Sequence, residues 1–365
     1  MKIAHLISGG ETGGSKNHLL SLLASFPKVE VTLIAMQKGE LYEQAKEQGI
    51  DVQLLDQSSR YDLKVLTKLK NFIKENGYDL LHTHGPRANL YGALIIKKLN
   101  IPWVTTIHSD PKLDFLKGGL KGKIFTKINL WSIKRIDHFF AVSERFKQDL
   151  MDIGIPGDRV STIYNGIDFS KSYAKTNLSR EDLQLKQENF VIAMVARLHP
   201  IKGHHEVFEA MQNLSDPNVQ LLLIGDGPER EDLQKKAKEL NIQNQVHFLG
   251  FRDDVPDIYQ ISDIGLLASY SESFPLALLE AAREKTPVIA TNVGGIPHML
   301  EDTGWIIEPK DSQAITNALQ EAIQEKEERT LTKRGEDFHN HASQNFSLEQ
   351  LAEATKKMYK KIKKS

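Results

Sequence analysis

The sequence predicts an α/β protein made of two Rossmann-like domains in tandem. Short apolar runs, typical of buried parallel strands, alternate with amphipathic stretches of helical periodicity along most of the chain. The alternation occurs in two series separated by a polar stretch, and 365 residues exceed the size at which a single core usually stops growing. We therefore expect two parallel sheets covered by helices, with an active-site cleft between the domains.

The first series, residues 1–168, contains six apolar runs that we interpret as strands. They are Ile3–Ile7, Val31–Ala35, Val52–Leu55, Leu80–His82, Trp103–Ile107 and His138–Val142. Helical patterns lie between them, at Asn17–Ser25, Leu63–Glu75 and Arg87–Lys98. The order of strand, helix and strand is that of a parallel sheet.

The second series, residues 190–345, follows a polar stretch at 169–189 that we interpret as a linker. Its predicted strands are Phe190–Ala196, Val219–Ile224, Val246–Phe248, Ile264–Ala268, Val288–Ala290 and Trp305–Ile307. Residues 346–365 have apolar side chains at helical spacing and many lysines on the other face. This predicts a terminal helix, which we expect to return to the first domain.

Composition excludes several classes of protein. The formal net charge of −1 argues against a polyanion-binding chain, and the absence of cysteine excludes disulfides and a thiolate nucleophile. No window approaches the roughly 20 apolar residues of a membrane span, and the N-terminal run is too short for a secretory signal. No Asp-x-Asp triplet occurs. We expect a cytoplasmic protein, with neither a metal nor another cofactor, whose membrane contact is at most peripheral.

Two cations follow the first predicted strand of the second domain. The segment V-A-R-L-H-P-I-K-G places Arg197 and Lys202 at the carboxyl end of that strand, beside the start of the next helix. Ligands of open α/β sheets bind at this edge, and helix N-termini favour anions. The pair is therefore suited to a diphosphate, the alternative being two ordinary surface cations.

Two glutamates, eight positions apart, flank a turn later in the same domain. Glu272 precedes a helix that carries Glu280 in the apolar context P-L-A-L-L-E-A-A, where a carboxylate needs hydrogen-bonding partners such as a ribose diol. The backbone N–H groups around Phe274 and Leu276, on either side of Pro275, are available to phosphate oxygens. In the first domain, Gly13 and Gly14 follow the first strand, where bare backbone can approach a phosphate. The alternative for the glutamates is a helix cap and a surface residue.

These residues resemble the retaining glycosyltransferases of family 4, which have the GT-B fold. The E-x7-E signature matches Glu272 and Glu280, and the family's Arg and Lys match Arg197 and Lys202. Further matching segments occur in the family's order: G-G-S-K-N-H at 13–18, T-H-G at 83–85, T-I-H at 106–108, A-V-S-E at 141–144, Y-N-G-I-D at 164–168, I-G-D-G-P at 224–228 and N-V-G-G-I-P at 292–297.

The resemblance implies a metal-independent transfer from a nucleotide-diphosphate sugar, with UDP favoured, and retention at the anomeric carbon. It implies that Glu280 holds the ribose, that Glu272 contacts the donor sugar and that Arg197 and Lys202 neutralise the leaving diphosphate. His108 would contact the donor sugar. His18, His82 and His84 are candidate acceptor residues, with structural roles as the alternative.

A retaining hydrolase would need a second carboxylate about 5 Å from the first, across the sugar. The first domain offers no carboxylate in a suitable position, which favours a front-face reaction in which the leaving phosphate oxygen takes the acceptor proton.

The stretch Lys112–Arg135 has seven cations and one acid among many apolar residues. It suggests a membrane-surface helix and a saccharide or lipid-linked saccharide acceptor, in bacterial surface polysaccharide or glycolipid synthesis. The alternative is an amphipathic helix packed on its own sheet.

Three other functions compete with this hypothesis. A nicotinamide dehydrogenase would need G-x-G-x-x-G after the first strand, and the nearest match, Gly225–Gly227, lacks the third glycine. A sugar-nucleotide epimerase of the same fold would bind the same donor without an acceptor. A non-catalytic sugar-nucleotide-binding protein would retain the cations and glutamates without turnover.

Overall fold

The computed structural model describes residues 1–11, 14–57, 62, 64–108, 119–170 and 178–364. The chain divides into two compact units. Unit 1 comprises Met1–Gly166 together with Leu348–Ser365, and unit 2 comprises Ile167–Ser347.

Unit 1 is built on a seven-stranded sheet in which every pairing is parallel. The strands are β1 (Ile3–Ile7), β2 (Val31–Ala35), β3 (Val52–Leu54), β4 (Leu80–His84), β5 (Trp103–Ile107), β6 (His138–Ala141) and β7 (Val160–Thr162). Their order is β3-β2-β1-β4-β5-β6-β7. The inner strands are buried along their whole length, as expected of a parallel sheet covered on both faces.

Helices alternate with these strands along the chain. They are α1 (Gly14–Ala24), α2 (Glu40–Glu47), α3 (Lys64–Glu75), α4 (Pro86–Leu99), α5 (Gly119–Ile133) and α6 (Glu144–Asp152). Local sequence explains several of their ends. Pro86 occupies the first position of α4, Asn100 ends it in the left-handed region, and the Ser143 hydroxyl accepts from the backbone N–H of Phe146 at the start of α6.

Unit 2 repeats the design with six parallel strands. They are β8 (Phe190–Val195), β9 (Val219–Ile224), β10 (Val246–Gly250), β11 (Ile264–Leu267), β12 (Val288–Thr291) and β13 (Trp305–Ile307), in the order β10-β9-β8-β11-β12-β13. The helices are α7 (His204–Leu214), α8 (Arg230–Glu239), α9 (Val255–Ile261), α10 (Leu276–Arg283), α11 (Ile296–Leu300), α12 (Ser312–Glu327) and α13 (Leu331–Asn345). A core of apolar side chains joins the sheet to α7, α8 and α12.

The last helix, α14 (Leu348–Lys364), belongs to unit 1. Leu351, Ala352 and Tyr359 are buried in the same core as β1 and α1. The Tyr359 ring is completely buried, and its hydroxyl lies 2.5 Å from Nδ1 of His82. The hydrogen bond anchors the helix to the middle of the sheet.

The structure confirms the predicted fold class of two Rossmann-like α/β halves. Sequence analysis missed β7, a three-residue edge strand in which only Val160 is buried. Residues 178–189, the described part of the stretch interpreted as a linker, are packed on unit 2. There the guanidinium of Arg180 donates to the carbonyl oxygen of Ile261 at 3.0 Å and to the carboxylate of Asp263 at 3.0 Å, and Leu185 is buried.

Within the described residues, no helix combines the length and the apolar character needed to cross a membrane.

The bond between Tyr359 and His82 yields a stability prediction. Tyr359→Phe keeps the ring but leaves Nδ1 of a fully buried imidazole without this partner, so we expect the free energy of unfolding to fall by about 1–3 kcal/mol. Urea unfolding followed by circular dichroism measures the change. Tyr42→Phe, which removes a half-buried hydroxyl on α2, is the matched control and should change stability little. Equal losses in the two variants would contradict the anchoring role.

Candidate active site

The site in unit 2 lies where the strand order of the sheet reverses. Strand β8 pairs with β9 on one side and with β11 on the other, so the connections leaving β8 and β11 diverge to opposite faces. A crevice at the carboxyl ends of such strands is the usual ligand site of open α/β sheets. Arg197 and Lys202 follow β8, while Glu272 follows β11.

The turn that carries Lys202 depends on a glycine. Pro200–Lys202 form a 3₁₀ turn, and Gly203 then adopts φ = +71° before α7 begins. A Cβ atom at Gly203 would lie 2.1 Å from the carbonyl oxygen of Ala268, so only glycine lets this turn pack against the end of β11. The close approach brings the loops after β8 and β11 together.

Lys202 and Glu272 form an ion pair across these two loops. Both side chains are largely buried, 17% and 11% exposed, and the Glu272 carboxylate also accepts from the Ser269 hydroxyl at 2.6 Å. Arg197, in contrast, is exposed. The two predicted cations and the first predicted glutamate therefore lie at the same edge of one sheet, with the lysine already paired to the glutamate.

Tyr270 makes further hydrogen bonds that connect the loop after β11 to the loop after β8 and to α7. The Tyr270 hydroxyl lies 2.6 Å and 2.7 Å from the two carboxylate oxygens of Glu206 on α7, and its backbone N–H donates to the carbonyl oxygen of Ile201 at 2.8 Å. Burial and the Glu206 carboxylate raise the pKa of Tyr270, so the phenol stays protonated and donates. Sequence reasoning missed these hydrogen bonds, because nothing in the pattern links Tyr270 to a residue 64 positions earlier.

Glu280 is the fifth residue of α10, one turn into the helix rather than the two expected from sequence. It is half-buried, and burial raises its pKa to about 7 although the Arg283 cation opposes the shift. Tyr259 lies close enough for the Glu280 charge to raise its pKa further, beyond the effect of its own burial. A carboxyl group with this pKa is partly ionised near pH 7, and a ligand that donates hydrogen bonds to it favours the ionised form.

The turn between Glu272 and Glu280 is fixed by packing contacts with Phe346 and Gly294. Phe274 is buried and packs edge-on against Phe346 at 5.2 Å between ring centroids. Pro275 directly precedes α10, and Leu276 is its first residue. Gly294, at φ = +61°, lies so close that a Cβ atom would be 2.1 Å from the carbonyl oxygen of Glu272. Packing thus fixes the backbone around Glu272 from two sides.

In unit 1 the predicted histidines form one buried cluster with His5. His5 Nδ1 lies 3.1 Å from His84 Nε2, and the His82 and His84 rings stack at 4.3 Å. Both nitrogens of His82 have partners, the Thr106 hydroxyl at 2.8 Å and the Tyr359 hydroxyl at 2.5 Å. The ligand nitrogens of His5, His82 and His84 lie within 4.8 Å of one another, but both nitrogens of His82, Nδ1 of His5 and Nε2 of His84 are engaged in these hydrogen bonds.

His18 and His108 extend the cluster towards the carboxyl edge of the sheet, with their rings edge-on at 5.1 Å. Burial lowers the pKa of His108 to about 4 and that of His18 well below its usual value, so both rings are neutral near pH 7. Among the described residues, His18 Nδ1, His84 Nδ1 and His108 Nε2 have no hydrogen-bond partner. Three unpartnered buried nitrogens are costly unless a ligand or water supplies hydrogen-bond partners.

Two predicted features fall partly on residues that the structure does not describe. Gly13 lies outside the described residues, and Gly14 begins α1. Of the basic stretch Lys112–Arg135, residues 112–118 also lie outside them, and the remainder forms α5 and the turn after it. Sequence analysis did not single out His5, although a histidine inside the apolar run I-A-H-L-I is a signal that could have identified it.

The geometry offers two kinds of chemistry. Unit 2 places cations and hydrogen-bond acceptors at one switch point, which suits a ligand that has both a diphosphate and hydroxyl groups. Unit 1 places neutral imidazoles at the carboxyl edge of its sheet, which can accept from or donate to hydroxyl groups without adding charge. Each site is made by loops at strand ends.

Comparison with known proteins gives matches over both units of the chain. The model of the glycosyl transferases group 1 matches residues 175–337, and that of glycosyltransferase family 4 matches residues 12–171. The chain is similar to N-acetyl-alpha-D-glucosaminyl L-malate synthase of Bacillus anthracis, with 28% identity over 73% of this chain and 71% of that protein. It is also similar to UDP-Gal:alpha-D-GlcNAc-diphosphoundecaprenol alpha-1,3-galactosyltransferase of Escherichia coli, with 25% identity over 98% and 96% of the two chains.

Solved structures show the same fold. Anabaena Alr3699/HepE in complex with UDP superposes with a TM-score of 0.87 at 23% identity, covering 99% of this chain and 100% of that one. Its complex with UDP-glucose gives a TM-score of 0.86 at 22% identity over 99% and 100%. With both family models matched and the GT-B fold established, the chain belongs to the group 1 glycosyltransferases of family 4.

Proposed function

We propose that this glycosyltransferase transfers a sugar with retention, without a metal ion, from a nucleotide-diphosphate sugar to a saccharide or lipid-linked saccharide. The observation that carries the proposal is the Lys202–Glu272 pair beside Arg197 at the switch point of unit 2. UDP is the favoured nucleotide, because UDP-Gal appears in the name of the Escherichia coli relative and UDP-glucose is bound in HepE.

In this mechanism, Arg197 and Lys202 stabilise the negative charge that develops on the departing diphosphate. Arg197 can grip two phosphate oxygens through its planar guanidinium, and Lys202 acts as a compact charge held in place by Glu272. Fixed cations at this position supply the charge stabilisation for which other transferases use a divalent ion. Glu280 accepts hydrogen bonds from the ribose diol, and Glu272 accepts from a hydroxyl of the donor sugar.

The transfer proceeds on one face of the sugar. An acceptor hydroxyl oxygen forms a bond to the anomeric carbon while the bond from that carbon to the phosphate oxygen breaks. The acceptor proton passes to that leaving oxygen. His108 orients the donor sugar through its neutral ring, while His18 and His84 use their unpartnered nitrogens to bind hydroxyl groups. His82 supports these rings, because its own nitrogens are engaged by Thr106 and Tyr359.

The outer face of α5 supports peripheral contact with an anionic membrane. The helix turns small or polar residues inward, since Gly122, Asn129 and Ser132 are buried. Its outer face is both apolar and cationic: Ile124 is 58% exposed and Trp131 40% exposed. This face also exposes Lys123 and Lys127, and Lys134, directly after the helix, is exposed as well. A helix that exposes cations around apolar side chains supports binding to an anionic lipid surface, where a lipid-linked acceptor of surface polysaccharide or glycolipid synthesis would reside.

We expect Lys202→Met to reduce turnover of the correct donor by about 10²–10³-fold, because it removes a charge that stabilises the leaving group. Purified protein is incubated with UDP-, GDP- and ADP-sugars, with and without membrane-lipid extract, and release of nucleoside diphosphate is followed. Release should need the extract and should persist in EDTA. Lys235→Met, at an exposed lysine of α8, is the matched control. Loss of activity in EDTA would contradict the metal-free mechanism, and a covalent glycosyl-enzyme would contradict the single-face transfer.

Donor affinity should rise between pH 6 and pH 8. Glu280 has a pKa of about 7 in the folded protein, and its ionised form is the better acceptor for a diol, so loss of its proton favours binding. A sugar diphosphate diester does not titrate in this range. Calorimetry with the donor from the screen should therefore show tighter binding at pH 8 in the wild type and a flat profile in Glu280→Gln.

The raised pKa of Glu280 makes the ligand-free protein less stable at high pH, although it makes donor binding tighter there. Because the folded pKa exceeds that of the unfolded chain, the contribution of Glu280 to stability is present below the unfolded pKa and is lost as the pH rises through about 7. Ligand-free Glu280→Gln should therefore gain stability over the wild type as the pH rises from 5 to 8. A pH-independent difference in both stability and affinity would rule out titration of Glu280.

Binding to vesicles should require the cations of α5 and of the residue that follows it. We expect Lys123→Gln, Lys127→Gln and Lys134→Gln together to weaken binding to phosphatidylglycerol vesicles by at least tenfold, at about 1 kcal/mol for each cation near the surface. Sedimentation with vesicles measures the bound fraction. Replacing Lys46, Lys64 and Lys74, which are exposed on α2 and α3, by glutamine removes the same charge elsewhere and should have a smaller effect. Equal losses in both triple variants would exclude α5 as the docking surface.

A further inference from the structure

Unit 1 has its own switch point, and two cations lie there that the proposed donor chemistry does not use. Strand β1 pairs with β2 on one side and with β4 on the other, with Ile7 opposite His84 at the carboxyl edge. Lys16 is the third residue of α1, which follows β1, and Arg87 is the second residue of α4, which follows β4. The N-termini of both helices therefore begin at this edge, and both favour an anion.

The ion pair of Lys16 is unequal in burial. The Lys16 side chain is 9% exposed, whereas its partner Glu40, 2.6 Å away, is 59% exposed. Glu40 also accepts from Gln44 at 3.0 Å on the same helix. An exposed carboxylate loses little by turning into water, but a buried ammonium needs an anion or acceptors nearby. An incoming anion can thus replace Glu40 beside Lys16.

Arg87 has only neutral partners among the described residues. One guanidinium nitrogen donates to the side-chain oxygen of Gln57 and another to that of Gln37 at 3.4 Å. Gln57 is held in turn by the Tyr91 hydroxyl at 2.5 Å. The amides orient the guanidinium without neutralising it, which leaves its charge available to a ligand.

The loop after β1, which leads to the helix that carries Lys16, comes close to Gln37. A Cβ atom at Gly9 would lie 2.3 Å from the Gln37 carbonyl oxygen, so the loop after β1 packs tightly against the loop after β2. The one carboxylate that the described residues place in this loop, Glu11, is occupied: it accepts from the backbone N–H groups of Ser8 at 3.3 Å and Gly9 at 2.7 Å, and from the Ser8 hydroxyl.

An independent observation points to a ligand at the same edge. His18, two residues after Lys16, and His84, three residues before Arg87, are 2% and 3% exposed, and each has an Nδ1 atom without a partner among the described residues. Burial keeps both rings neutral, so they can bind hydroxyl groups but add no charge. The site therefore combines hydroxyl-binding imidazoles with two cations.

We propose that the acceptor is an anion whose phosphate or carboxylate group binds between Lys16 and Arg87 while its hydroxyl groups bind at His18 and His84. This inference rests on the proposed function for the assignment of the ligand as acceptor. It adds the chemical class of that acceptor and assigns Lys16 and Arg87 as the residues that bind its anionic group. Unit 1 would then reject a neutral saccharide of the same shape, since desolvated cations gain nothing from it.

Inorganic phosphate is the probe, and ³¹P NMR relaxation measures its binding without turnover. All proteins include Arg197→Gln and Lys202→Met, so that the cations of unit 2 do not contribute, and circular dichroism checks each fold. Lys16→Met or Arg87→Gln should weaken phosphate binding about tenfold, as expected for a lost charge-assisted hydrogen bond. Lys74→Met, at an exposed lysine of α3, should leave it unchanged.

Glu40→Gln should strengthen phosphate binding, whereas the cation variants weaken it. It keeps the shape of the side chain but removes the competing charge, so phosphate should bind about threefold more tightly, the scale of an exposed ion pair. The proposal is overturned if phosphate does not bind, if binding survives in the Lys16→Met, Arg87→Gln double variant, or if Lys74→Met weakens it equally.

A second readout separates this subsite from the proposed function. With Arg197 and Lys202 intact, UDP-glucose binding should be the same in Lys16→Met and wild-type protein, because Lys16 reads the acceptor. If no nucleotide sugar binds to the wild type, the proposed function fails while the phosphate result still decides the subsite. If a donor binds and turns over but phosphate does not bind in unit 1, only the subsite fails.

Discussion

The parallel arrangement of both sheets is the constraint on which the chemistry of this protein depends. Every strand pairing in β1–β7 and in β8–β13 is parallel, so the carboxyl ends of all strands in a sheet share one edge. The strand order reverses once in each sheet, and the connections diverge there. Lys202 and Glu272, 70 residues apart in sequence, meet because β8 and β11 are neighbours at that point.

Close backbone packing fixes the loops at this edge of unit 2 and so defines the positions of the side chains that they carry. Gly203 and Gly294 have positive φ and approach carbonyl oxygens of the neighbouring loop so closely that a side chain would not fit. Loops with such contacts cannot rearrange by small shifts, since interiors are packed near crystalline density. The ion pair of Lys202 and the Tyr270–Glu206 bond then link the same loops through side chains, so backbone and side chains specify one arrangement.

Much of the fold could be predicted from sequence because buried parallel strands are short, apolar and bounded by helices. Ile3–Ile7, Val31–Ala35 and Trp305–Ile307 have the predicted bounds, whereas β7 was missed because a half-exposed edge strand of three residues has no apolar run. The E-x7-E spacing identified Glu272 and Glu280 through local pattern. His5, Tyr270 and Tyr359 were not identified as site residues, because their partners lie 64 to 354 residues away and single-sequence periodicity contains no information on such contacts.

The contact between Tyr359 and the histidines of unit 1 also has a consequence for the order of events during synthesis. His5 and Tyr359 are separated by 354 positions, and unit 2 is a continuous segment inserted between them. A nascent chain leaves the ribosome from its N-terminus, so β1 emerges early yet waits for α14 until all of unit 2 has been made. All seven strands of unit 1 are made before unit 2, but unit 2 is complete before unit 1 receives its last helix. Until α14 is made, the imidazole cluster and the apolar side chains that α14 covers stay exposed in unit 1, and exposed apolar surface of this kind favours aggregation of a partly folded chain.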